Sequence, residues 1–249
     1  MPTLVLELSS RPGASGLLGA TLREYGHRFR SILPERGEPL PPDLDDIDAI
    51  VLTDGPQRFA SSAPAWSALA QELLRAAHAA SLPIVGLGAG ARLLALSLGG
   101  TVEAASGPDH LVGWHDLRLS AVGREDPLYK GVPWTTRQFL LASEVIRTLP
   151  AGGVPLATAG ASLLPKAFSV GVFTFGFEHR WELDGDLFER TLAERSGELA
   201  GADATALRVG WSANGEASMR IGRRIAESIA LYLMPIDRVS AGRVKDLHY

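Results

Sequence analysis

The stretch Pro83-Ile-Val-Gly-Leu-Gly-Ala-Gly-Ala-Arg-Leu-Leu-Ala-Leu-Ser-Leu-Gly-Gly100 changes character in its middle. Residues 83–87 form a short apolar run of the kind that makes a strand buried on both faces. Residues 91–98 are apolar and rich in helix formers, and Gly99-Gly100 ends them. Gly86, Gly88 and Gly90 punctuate the junction, where a strand must turn into a helix within a few residues. The pattern predicts a tight strand–turn–helix, with Gly88 in a strained backbone conformation and the N–H of Ala89 pointing into a small concavity.

Working outward, residues 3–8 and 49–52 read as strands, the second following a polar stretch at 41–48. Between 64 and 80, Trp66, Leu69, Leu73 and Ala77 recur at three- and four-residue steps, which predicts one face of a helix. This alternation implies an α/β fold with a mostly parallel central sheet and flanking helices. Downstream, 115–120, 136–142 and 167–177 cluster strand formers between turn signals such as Gly152-Gly153 and Gly160, which predicts a smaller antiparallel part. A helix follows at 185–194, then a Gly-, Ala- and Ser-rich surface loop at 196–215. The last helix, 216–233, carries Ile221, Ile225, Ile229 and Leu233 at four-residue steps and stops at Pro235. With no repeat and no linker, one domain over 1–235 and a polar tail over 236–249 are expected.

The 249 residues, 46% of them hydrophobic, suffice for one sizeable core. The net charge of -4 comes from 28 acidic and 24 basic residues spread along the chain without a block of one sign, which argues against nucleic acid and anionic membranes as partners. The amino-terminal run lacks a basic segment and contains Glu7, so it reads as a strand and not as a signal peptide. No apolar stretch approaches the ~20 residues of a membrane helix. A soluble, cytoplasmic protein is expected. The chain contains no cysteine, which removes disulfides and thiolate catalysis together. The histidines at 27, 78, 110, 115, 179 and 248 show no metal-ligand spacing and read as surface or ordinary polar positions, so neither a metal nor a cofactor is expected.

The quoted stretch resembles the nucleophile elbow of the class I glutamine amidotransferases, Pro-x-x-Gly-x-Cys-x-Gly-x-Gln followed by an apolar helix and Gly-Gly. Gly88 stands in the place of that cysteine and Arg92 in the place of the glutamine. Asp54-Gly55-Pro56 is similar to the Gly-Gly-Pro turn that supplies an oxyanion-hole N–H in the family. Val112-Gly113-Trp114, Asp126-Pro127-Leu128 and Leu149-Pro150-Ala151-Gly152 resemble the middle of the subgroup similar to the glutaminase part of GMP synthase. Ala167-Phe168-Ser169-Val170-Gly171 and Phe175-Gly176-Phe177-Glu178-His179-Arg180-Trp181-Glu182 keep the spacing of the family's Ala-Phe-x-Val-Gly and Tyr-Gly-Val-Gln-Phe-His-Pro-Glu. In that register Arg180 replaces the catalytic histidine and Glu182 keeps the place of the orienting glutamate. The resemblance spans residues 40 to 195 and implies a flavodoxin-like, class I glutamine amidotransferase fold.

That chemistry needs a thiolate at the elbow and a histidine that passes a proton to departing ammonia. Glycine at 88 has no side chain, and a guanidinium does not exchange protons near neutral pH. Both roles are vacant, and the resemblance implies a degenerate triad at Gly88, Arg180 and Glu182. Taking His179 as the base instead requires a one-residue slip, which on a strand points the side chain to the other face.

The glycines at 86, 88 and 90 alone also fit a phosphate-cradling loop, although such short patterns more often make tight turns. Arg180 and Glu182, two apart on an expected strand, either pair with each other or bind a ligand. Arg92 and Asp54 either join them in a closed charge network or leave an anion site at the elbow helix. Three functions remain open. The first is an inactive binding, scaffolding or regulatory subunit whose partner is an active amidotransferase, a synthetase or a second copy. The second is a sensor of a small carboxylate or phosphate that uses Asp54, Gly55, Ala89, Arg92, Arg180 and Glu182. The third is an enzyme with diverged chemistry that uses Glu182 or Asp54 as general base.

Overall fold

Three apolar runs of the first half become strands with every residue buried: β1 (Thr3–Leu6), β3 (Ala49–Leu52) and β4 (Ile84–Leu87). They belong to a computed structural model that describes residues 2–199 and 202–235. Around them run α1 (Gly16–Glu24), β2 (Phe29–Ile32), α2 (Ser67–Ala79), α3 (Ala89–Ser97) and β5 (Thr101–Ala104). The second half adds β6 (Val112–Leu119), α4 (Ala121–Glu125), β7 (Thr135–Leu141), β8 (Glu144–Thr148), β9 (Gly153–Ala159), β10 (Leu164–Val170), β11 (Thr174–Phe177), α5 (Gly185–Glu194) and α6 (Ala204–Ser228). The tail expected over 236–249 lies outside the described residues.

The large sheet has the order β2-β1-β3-β4-β11-β10-β9-β6-β7. Its first five strands are parallel, in a flavodoxin-like arrangement with β11 in fifth place, and the rest continue antiparallel. β5 and β8 make a small antiparallel sheet of their own. Alternation along the parallel strands feeds two cores. Val5, Val51 and Val85 pack on one face with Leu18 and Leu22 of α1 and Ile225 of α6. Leu4, Leu6, Ile50, Leu52 and Ile84 pack on the other with Leu73 and Leu74 of α2 and Leu93 and Leu94 of α3.

Four expectations need correction. The run expected as one strand at 167–177 is a hairpin, β10 and β11, turning at 171–173. The surface loop expected over 196–215 is largely helix, since α6 begins at Ala204. Asp203 caps it by accepting the N–H of Thr205 at 2.8 Å. The small residues that suggested a loop are there for packing, because a Cβ on Gly210 would collide with the Trp114 ring, 2.6 Å from Nε1. On α2 the buried stripe is Ala70, Leu73, Leu74 and Ala77, one residue round from the expected face, and Leu69 remains 61% exposed. Finally, β11 ends at Phe177, so Arg180 and Glu182 sit in an irregular segment tied to its neighbours by a bridge between His179 and Leu140 and by backbone hydrogen bonds, the Arg180 N–H to the Phe139 carbonyl and the Leu17 N–H to the Glu182 carbonyl.

α6 ends in a π-helical turn, Ile229–Leu233, and crosses the segment after β11 at Gly222. A Cβ there would strike the Trp181 carbonyl oxygen and come within 2.9 Å of Leu17 Cδ1. Gly222→Ala is therefore expected to lower the urea unfolding midpoint by the equivalent of about 1–3 kcal/mol through overpacking. A raised midpoint, the normal gain of about 0.8–1 kcal/mol for alanine over glycine in a free helix, would contradict this contact.

Candidate functional site

The elbow follows from its glycine. At the junction of β4 and α3, Gly88 has φ 53° and ψ -114°, outside the regions open to side-chain-bearing residues. Its own N–H donates to the Phe177 carbonyl of β11 at 2.7 Å, which ties the turn to the neighbouring strand. The N–H of Ala89, first residue of α3, points to the carboxyl ends of the parallel strands, where ligands collect in open α/β sheets. This N–H meets a carboxylate of the chain itself: Asp54 Oδ1 accepts it at 2.7 Å. Asp54 follows β3 and is fully buried, and Gly55 then carries the chain past the Leu8 carbonyl.

A side chain on residue 88 would have no room. A Cβ on Gly88 would run into the Asp54 carboxylate, with Asp54 Cβ itself only 2.7 Å away. The carboxylate thus fills the space into which a residue at the elbow would project, and it does so on the helix N-terminus that favours negative charge.

Two guanidiniums hold Asp54 from the other side. Its Oδ2 lies 2.6 Å from Arg180 Nη1 and 2.5 Å from Arg195 Nη1. Arg180 Nε donates to Glu182 Oε1 at 2.5 Å, and Arg195 makes a forked pair with Glu198 at 2.9 and 2.7 Å. Burial alone would raise the Asp54 pKa, but Arg180, Arg195 and Arg92, with the Ala89 N–H, outweigh it and hold the group at about 2. Burial raises the Glu182 pKa above its usual value despite Arg180, and the nearby Asp54 charge adds to the rise. Burial works against the charge on Arg195, yet Asp54 and Glu198 keep its pKa above the usual value. The cluster holds three carboxylates, two guanidiniums and the positive end of α3.

Arg92, on the first turn of α3, lies on the edge of this group and belongs mainly to a second one. It sits 3.6 Å from Glu178 Oε1 and 4.0 Å from Glu144 Oε2. Glu178 also takes Lys166 Nζ at 2.9 Å, and Glu144 accepts the N–H groups of Phe59 and Ala60. The expected residues Asp54, Gly55, Ala89, Arg180 and Glu182 therefore converge, with Arg92 beside them. Arg195, Glu198, Glu144 and Lys166 were not singled out in the sequence, where only the Arg195–Glu198 spacing of three hints at a pair. His179 points away from the site, into the core, and its Nε2 lies 2.8 Å from the Tyr129 hydroxyl. This corrects its reading as a surface or ordinary polar position, and burial depresses its pKa to about 3. Among the described residues no three His, Asp or Glu side chains converge as a metal-ligand set.

The arrangement offers paired guanidiniums and an N–H that could serve an oxyanion but is already engaged by Asp54.

No family model matches the sequence, and no curated protein matches it. Solved structures do. A glutamine amidotransferase from Methylobacillus flagellatus superposes with a TM-score of 0.80 at 20% identity, covering 94% of this chain and 95% of that one. A glutamine amidotransferase from Thermotoga maritima gives 0.77 at 17% identity, with 93% and 99% covered. A protein from Thermoplasma acidophilum, provisionally described as one of the subunits of a GMP synthase, gives 0.52 at 17% identity, with 79% and 96% covered. The chain has the fold of the class I glutamine amidotransferases.

Proposed function

We propose that this protein is a catalytically silent glutamine amidotransferase-like subunit that binds, scaffolds or regulates a protein partner in the cytoplasm. One observation carries the silent half: the Asp54 carboxylate occupies the space a nucleophile at residue 88 would need, and engages the Ala89 N–H. A negative charge there opposes the oxyanion of amide hydrolysis, and loss of a single oxyanion donor already costs on the order of 10²–10³ in rate in other enzymes. The purified protein is expected to release no glutamate from glutamine. Turnover above background in a coupled glutamate assay, on material free of host glutaminase, would overturn this.

The binding half is supported by the neighbour described as a GMP synthase subunit, since a fold used within assemblies can keep its contacts after its chemistry is gone. The partner classes are an active amidotransferase, a synthetase that receives ammonia, or a second copy of the chain. Sedimentation velocity of the chain alone, and mixed with a cysteine-bearing amidotransferase or a synthetase encoded beside it, tests them.

A second reading, a sensor of a small carboxylate or phosphate, draws support from Arg92, whose buried Nε and Nη2 have no hydrogen-bond partner among the described residues. A thermal-shift screen with amino acids, dicarboxylates and phosphate tests it, because a ligand of the native state raises the midpoint by mass action. Of the two general bases that a diverged enzyme would use, Asp54 is a poor one at a pKa of about 2, and Glu182, whose pKa burial raises, is buried and accepts from Arg180 Nε.

A further inference from the structure

Between α2 and the chain leading into β3 lies a groove of about 650 Å³ that shares no lining residue with the elbow site. Leu69, Leu73 and Ala76 line it from the helix, and Leu40, Pro41 and Pro42 from the opposite wall. Leu69 lies beside the buried stripe of α2 and is 61% exposed. The polar atoms on the lining side chains are carboxylates, Asp43 and Glu72. Within an otherwise mixed charge pattern, residues 38–48 carry Glu38, Asp43, Asp45, Asp46 and Asp48 and no Lys, Arg or His. Asp43, Asp45, Asp46 and Glu72 are exposed, and none makes an ion pair with another described residue.

We propose that this groove docks a cationic amphipathic helix of a partner protein. The proposal rests on the reading of the chain as a binding protein, and it names the surface and the chemistry of the partner. Leu69, Leu73 and Ala76 follow each other at helical steps, so the groove runs along α2 for roughly 10 Å at 1.5 Å per residue. An apolar channel of that length suits a helix that inserts side chains at three- and four-residue steps. Unneutralised carboxylates on the rim select lysine or arginine flanking those anchors, both in steering the encounter and in fixing register. The same charges disfavour a symmetric pairing with a second copy, which would set Asp43 and Glu72 against identical groups.

The probe is a fluorescein-labelled amphipathic peptide with leucines at i, i+3, i+4 and i+7 and lysines elsewhere, read by anisotropy against the full chain. Its leucine–glutamate twin is the control. The lysine peptide is expected to saturate the wild type and to weaken by about tenfold on Leu69→Ser and on Glu72→Lys, while the glutamate twin binds only the latter. Both sites are exposed, so the two variants should keep the wild-type unfolding midpoint. Equal affinity for wild type and both variants, or no binding at all, overturns the proposal. A dimer that Leu69→Ser dissolves would assign the groove to a second copy. Leu69-dependent binding of a synthetic 236–249 peptide, with none of the lysine peptide, would assign it to the chain's own segment. Association with an amidotransferase or synthetase that survives both substitutions would overturn the groove and leave the reading of the chain as a binding protein standing.

Discussion

Gly88→Cys is expected to damage the protein without arming it. The new side chain would enter a backbone conformation at φ 53° and run into the Asp54 carboxylate, which Arg180 and Arg195 hold in place. The unfavourable backbone contributes about 1–3 kcal/mol and overpacking about the same again, so a loss of about 2–6 kcal/mol is expected. That is a large share of the ~5–15 kcal/mol by which domains are stable. Adding Asp54→Gly removes the collision, so the double variant should recover part of what Gly88→Cys loses, even though it leaves two guanidiniums without their shared carboxylate. Such non-additivity is the mark of residues that share a space. Neither variant should hydrolyse glutamine if, as proposed, Arg180 stands in the place of the family's proton carrier. Any recovery requires changes at 54, 88 and 180 together. Urea midpoints of the two single variants and the double, with a glutamate assay on each, test both halves. An additive cycle would mean that Asp54 and residue 88 do not compete for one site.

The sequence displayed the elbow because a strand buried on both faces, three alternate glycines and an apolar helix leave few other geometries. The resemblance also grouped Gly88, Arg180 and Glu182, and the fold sets all three around Asp54. What the sequence did not display is where side chains end. Asp54 was visible as a carboxylate at the turn before Gly55, a charge opposed to an oxyanion. Its capture of the Ala89 N–H and its pairing with Arg195, 141 residues away, depend on distances that the fold creates. The same holds for Lys166 and Glu144, which no motif marks and which close a second buried group around Arg92 and Glu178. Leu69 and α6 misled for a related reason. Periodicity marks an apolar stripe without saying how wide a neighbour covers it, and a composition of Gly, Ala and Ser means a loop only until two tryptophan rings are found lying against it.

In a cluster with three acids and two bases, the loss of different acids should change stability with opposite pH dependences. Asp54 is the shared partner of Arg180 and Arg195, and Asp54→Asn leaves both guanidiniums buried without the charge between them. Breaking a buried pair from one side costs about 3–5 kcal/mol, and that loss is expected at neutral pH. Glu182 is different, because its pKa lies above the usual value of 4.5 and its ionised form is disfavoured in the folded state. Glu182→Gln keeps an acceptor for Arg180 Nε while removing that charge, and should cost clearly less than Asp54→Asn. The pH dependences separate the two. The Asp54 pKa is lowered from 3.8 to about 2, so its stabilisation is complete above 3.8 and is lost as pH falls towards 2. The gap between wild type and Asp54→Asn should therefore narrow on acidification through that window. For Glu182 the native state binds the proton more tightly than the unfolded chain, so wild type loses stability as pH rises from 4.5 to the folded pKa. Glu182→Gln should gain on wild type over that rise. Differences from wild type cancel the other carboxylates with raised pKa, Glu7 and Asp126, which titrate in every variant. Urea midpoints of the three proteins, taken from about pH 2 to pH 8, give both curves. Parallel curves, or an Asp54→Asn variant as stable as wild type at neutral pH, would mean that the buried carboxylate is not what holds the two arginines at the elbow.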